Sequence, residues 1–101
     1  MVKIHGDWCG PNWTQGKNQP SNAVGVNFSA PCKDALDCAC RSHDRDCSNS
    51  LGCSAKADRK LVAAALRYAS NPINRLLRPH TVLKAEAVAV GITTASLTRK
   101  R

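Results

Sequence analysis

Cys40-Arg41-Ser42-His43-Asp44 is the stretch on which the reading of this chain turns. Leu36, Cys40, His43 and Cys47 recur at helical spacing, which predicts a helix with these four residues on its inward face. Adjacent positions leave a helix about 100° apart, so His43 can face one partner while Asp44 faces another. Upstream lies Trp8-Cys9-Gly10-Pro11-Asn12, a tight loop suited to presenting backbone carbonyls and amides rather than side chains. Imidazole, carboxylate and loop together suggest a general base working beside a hard cation such as calcium.

Composition frames this reading. A chain of 101 residues is one small domain, here 1–101, whose core supplies modest stability. Aromatic residues make up only 4%, and six cysteines fill the gap. An even count in a short chain implies three disulfides, each worth roughly 2–4 kcal/mol. Oxidised cysteines imply a secreted or extracellular setting, or alternatively a virion-associated one. Residues 1–7 contain no apolar run resembling a signal-peptide core, which is consistent with a removed leader or excision from a longer protein. Residues 85–97 are too few, and too rich in Thr and Ser, to span a bilayer.

Charge is concentrated at one end. Residues 1–66 hold eight Lys/Arg against six Asp, whereas residues 67–101 hold seven against Glu86 alone. The basic C-terminal segment, 71–101, ends in Arg99-Lys100-Arg101 and favours an anionic surface, phospholipid headgroups or nucleic acid.

The glycine- and proline-rich residues 1–31 read as loop, with one short extended piece at 23–28. A helix is expected from about Pro31, with Ser29 near its cap, ending in the Ser/Asn/Gly cluster 48–52. A second helix begins near Ser54 and stops at Asn71-Pro72. After Pro79, residues 81–96 favour a third helix over a strand.

Asp58 is the only acidic residue in 48–85. If the two helices run antiparallel, it comes back beside His43 and orients the imidazole, leaving the other ring nitrogen to take a proton from water. Asp44 is then the metal ligand. A Cys9–Cys40 disulfide would tie the loop beside the helix, with the Gly10 amide as a second oxyanion donor. The other four cysteines can pair in three ways; Cys47–Cys53 is favoured because it would clamp the turn between helices, leaving Cys32–Cys38. Asp34, Asp37 and Asp46 look like ordinary solvated charges.

The two motifs resemble those of the secreted-type calcium-dependent phospholipases A2, and of the phospholipase A2 domains carried by some viral capsid proteins. The loop is similar to their aromatic-Cys-Gly calcium loop, with Asn12 where a second glycine is usual; the helix is similar to their Cys-x-x-His-Asp motif in full. The resemblance spans about 5–70. It implies a mainly α, disulfide-stabilised domain of two antiparallel catalytic helices and an N-terminal calcium loop. It also implies His43 as base, Asp58 as its orienting aspartate, Asp44 as calcium ligand, and Trp8, Gly10 and Asn12 as carbonyl donors. The expected activity is calcium-dependent hydrolysis of the sn-2 ester of glycerophospholipids at a membrane surface, by a monomeric domain. Where the family places a tyrosine four residues after the histidine, this chain has Cys47; Tyr68 is the only tyrosine available to substitute. Two alternatives are non-catalytic. One is a zinc module using Cys38, Cys40, His43, Cys47 and Cys53, although Cys-x-Cys-x-x-His is not a usual structural-zinc spacing. The other is a nucleic-acid binder relying on the basic tail, without the aromatic interleaving that stacks bases.

Overall fold

A computed structural model describes residues 3–49 and 52–99, and these form a mainly α-helical domain stapled by three disulfides. The pairs are Cys9–Cys40, Cys32–Cys38 and Cys47–Cys53, the connectivity expected. The N-terminal third is irregular apart from a small hairpin, in which β1 (Trp13–Thr14) pairs antiparallel with β2 (Lys17–Asn18). Gln15 and Gly16, at φ 54° and 69°, make the tight turn between them, because a two-residue hairpin favours positive φ at both central positions. Residues 23–28 turn rather than extend, which corrects the expected strand. Gly25 reverses the chain at φ 88°, and the Val26 N–H donates back to Ala23 O at 3.4 Å.

Helix α1 (Ala35–Cys47) starts later than expected. The preceding segment is held outside helical geometry by the Cys32–Cys38 bridge, and its carbonyls are taken from elsewhere: Pro31 O by Trp8 Nε1 at 3.1 Å, and Ala30 O by Arg41 at 2.8 Å. Asp34, not Ser29, is the cap, accepting from the Asp37 N–H at 2.8 Å. Leu36, Cys40, His43 and Cys47 do form the buried face. Asp37 joins them, fully buried, which corrects its assignment as a solvated charge. Its carboxylate accepts from the backbone N–H groups of Asp7, Trp8 and Lys33 at 2.9–3.2 Å. Asp34 is likewise engaged, 2.7 Å from His5 Nε2. Asp46 makes only a surface pair with Lys60 at 3.8 Å.

Helix α2 (Ala55–Ser70) begins where expected, and the Ser54 side chain caps it. The pairing of Asp46 with Lys60 near the turn, and of Ala39 with Ala64 and Arg67 along a shared groove, makes α1 and α2 antiparallel. The sequence did not announce α3 (Pro72–Leu77), a short helix capped by the Asn71 side chain with Pro72 in its first turn. Helix α4 (Pro79–Ser96) lies antiparallel along α2, with Glu86 near Ala69 and Arg99 near Asp58. Alanines 65, 69, 85 and 89 are buried in the shared core with Leu61, Val82 and Val88, and side chains this small allow close approach of the two helices.

Candidate functional site

His43, near the end of α1, and Asp58, in the first turn of α2, meet across the clamp of the Cys47–Cys53 disulfide. Their contact is 2.7 Å, from His43 Nε2 to Asp58 Oδ1, and both side chains are buried. Burial alone would push the Asp58 carboxyl up. Hydrogen bonds from Arg99 and His43, and the charge of each, outweigh burial and hold it below the usual carboxylate range. An ionised carboxylate only accepts, so the bonded imidazole nitrogen carries its proton at Nε2 and Nδ1 is the basic nitrogen.

Arg99 is the residue that sequence reasoning missed. Its Nε donates to Asp58 Oδ2 at 2.8 Å and its Nη2 to Oδ1 at 3.4 Å. This corrects the treatment of Arg99-Lys100-Arg101 as a single outward-facing anchor: Arg99 points inward, while Lys100 and Arg101 lie outside the described residues. Tyr68 is not the substitute orienting group. Its hydroxyl is buried without a hydrogen-bond partner among the described residues.

The wall of the site beside His43 is oxygen-rich. Trp8, Gly10, Asn12, Thr14, His43 and Asp44 line a cavity of about 370 Å³, to which α4 contributes Ala87, Gly91 and Ala95, and the turn after α4 contributes Arg99. The Cys9–Cys40 bridge ties loop to helix, with Cα atoms 5.1 Å apart. Gly10 sits at φ 143° and Asn12 at φ 56°. Asn12 can replace the usual second glycine because asparagine tolerates the left-handed region better than most residues. Gly10 O and Asn12 O accept turn bonds from Trp13 N at 3.2 Å and Gln19 N at 2.9 Å, and each carbonyl keeps a second lone pair for a further partner.

Asp44 sits at this wall with a neutral neighbour, Thr14 Oγ1, at 3.5 Å. Among the described residues no cationic side chain pairs with it. Burial pushes its carboxyl up to about 8, opposed by the Thr14 hydroxyl and reinforced by the charge of Asp37. A half-buried carboxylate without a counter-charge, next to loop carbonyls, suits a hard cation such as Ca²⁺.

A second metal-like grouping is formed by His43, Cys47 and Cys53, whose ligand atoms lie within 4.8 Å of one another. The two sulfurs are bonded to each other, and His43 Nε2 is engaged by Asp58. Zinc is held by thiolates, so occupation here would first require reduction of that disulfide. Cys38 and Cys40 are also committed to disulfides.

No protein-family model, curated protein or solved structure matches this chain. Its site is read from its own geometry. Three disulfides fit an oxidising compartment, and among the described residues no helix is long and apolar enough to cross a membrane.

Proposed function

We propose that this protein is a calcium-dependent phospholipase A2-like ester hydrolase that cleaves the sn-2 ester of glycerophospholipids at a membrane surface. One observation carries the reading: the His43–Asp58 pair stands beside a cavity whose wall brings the Asp44 carboxylate together with the Gly10–Asn12 loop. His43 Nδ1 takes a proton from the attacking water, while Asp58 holds the imidazole in the required tautomer. The proton then passes from His43 to the departing lysophospholipid alkoxide, so the base is regenerated with each turnover. The Gly10 amide is the candidate protein donor to the oxyanion. Calcium held by Asp44 and the carbonyls of Trp8, Gly10 and Asn12 would polarise the ester carbonyl and carry developing negative charge. The apolar wall from Leu61 and the small residues of α4 leaves room for an acyl chain.

The membrane as partner is supported by the outer side of the helical half. Leu83 and Val90 of α4 and Leu97 at its C-cap recur every seventh residue and are exposed, as are Ile73, Leu76 and Leu77 of α3. Arg75, Arg78 and Lys84 stand among them. Exposed apolar side chains rimmed by cations suit an anionic lipid interface. The zinc alternative is disfavoured because it requires reduction of Cys47–Cys53.

The test is fatty-acid release from anionic phospholipid vesicles, with calcium and then with a chelator. Activity should depend on calcium, and His43→Gln should lose on the order of 10²–10⁴-fold while keeping its three disulfides. Calcium-independent release, or full turnover by folded His43→Gln, would refute the reading.

A further inference from the structure

We infer that Arg99, forty-one residues after Asp58, is a positioning residue for the base, so that the turn following α4 is a working part of the site. The inference rests on the hydrolase reading for its kinetic consequence and on the contact itself for its structural one.

The Asp58 carboxylate is 1% exposed and must present one oxygen to His43 in a constant direction. A carboxylate bonded through a single oxygen swings about its Cβ–Cγ bond. Arg99 removes that freedom, because its planar guanidinium takes Oδ2 through Nε and reaches Oδ1 through Nη2. The nearer oxygen for His43 is then Oδ1, at 2.7 Å. Arg99 also supplies a permanent counter-charge to a buried anion whose other described partner is the His43 imidazole. Two obvious candidates for this work are occupied or absent from it. Cys47 is tied to Cys53, and the Tyr68 hydroxyl bonds to nothing described. The antiparallel run of α4 along α2 delivers Arg99 over the first turn of α2, so helix length and register set the contact.

Arg99 also lines the cavity, so a direct contact with substrate phosphate is the competing role. Steady-state kinetics on dispersed short-chain phospholipid separates the two, because loss of orientation lowers kcat whereas loss of a ground-state contact raises KM. Arg99→Ala should lower kcat on the order of 10–100-fold, as removal of an orienting partner does at comparable sites, with KM unchanged. Arg99→Lys, which keeps one charged donor, should recover part of the loss. It also serves as the measurable variant if the alanine protein fails to fold. Lys100→Gln with Arg101→Gln should leave kcat at the wild-type value.

The second readout does not require catalysis. ¹⁵N-resolved NMR of neutral His43 should report a single Nε2–H tautomer in the wild type and a mixture in Arg99→Ala. An unchanged tautomer, an unchanged kcat, or a loss confined to KM overturns the inference. If the wild type hydrolyses no phospholipid, the functional reading fails and the tautomer measurement alone decides the role of Arg99.

Discussion

The two halves of the molecule reach order by different physics. In residues 3–49 the chain is largely irregular, and it is held by covalent and polar devices: the Cys9–Cys40 bridge, the buried Asp37 carboxylate gathering three backbone N–H groups, and the His5–Asp34 contact. In residues 55–96 it is almost entirely helical, and α2 and α4 are joined by small apolar side chains with few polar contacts. Loop placement is specified bond by bond, whereas the helix pair is specified by a face. The candidate site lies where they meet. His43, Asp44 and the loop come from the first half, Asp58 and Arg99 from the second. Damage to the first half should therefore dislocate the loop, and damage to the second should leave the loop intact.

The largest effect on stability should come from the long covalent loop. Cys9→Ser with Cys40→Ser opens a connection of 31 residues, for which chain entropy gives about 3–4 kcal/mol, against roughly 2 kcal/mol for either six-residue loop. Chemical denaturation of the three double-serine variants should rank them in that order, and calcium binding should vanish only when Cys9–Cys40 is removed. Equal losses across the three would mean that noncovalent contacts place the loop.

Asp37 ranks next. Its carboxylate is the hub on which the backbone of Asp7 and Trp8 hangs, and charged hydrogen bonds contribute on the order of 1.5–3 kcal/mol. Asp37→Ala should lose about that much in urea denaturation while the far-UV helical signal persists. A Cβ at Gly6 would collide with the same carboxylate, and Gly6 is held at φ 60°, so Gly6→Ala should reproduce the defect. Retention of wild-type stability by Asp37→Ala would show that the hairpin and disulfide hold the loop without it.

How much of this was legible follows the same division. The His43-Asp44 motif, the Ser54 cap and the stop at Asn71-Pro72 are local signals, written within a few residues of where they act. Asp58 could be found because no other acid competes for the role nearby in the chain. Asp37 was misread because acidic side chains are usually exposed; the available signal was its place three residues before Cys40, beside the inward face. Arg99 carried no local signal at all. Its partner is fixed by the length and packing of α4, which the alanine- and valine-rich 81–96 leaves open, and a terminal basic triplet reads most simply as solvated. The helix start moved from Pro31 to Ala35 because a six-residue disulfide and two borrowed carbonyls hold the intervening chain.

The last contrast probes the candidate cation site most directly, and it is read as a change with pH. Burial pushes the Asp44 carboxyl up to about 8, against an ordinary value of 3.8, because it disfavours the charged form. A carboxyl raised in the folded state binds more protons there than in the unfolded chain. Stability from this group is therefore fully present below pH 3.8 and is lost as pH rises to about 8, beyond which nothing further is lost. Asp44→Asn removes the titration while keeping nearly the same shape. Without calcium, the difference in Tm between variant and wild type should be least near pH 4 and should move steadily in favour of the variant as pH rises to 8. Calcium should reverse the ranking at pH 8, because it binds the ionised wild-type carboxylate more tightly than the neutral amide and stabilises that folded state more by mass action. Thermal unfolding of both proteins at pH 4, 6 and 8, with and without calcium, reads all of this. A pH-independent difference would mean that Asp44 is solvated rather than sequestered. A calcium-induced rise in Tm equal in both proteins would place the cation elsewhere, and the loop of Trp8, Gly10 and Asn12 would lose its partner.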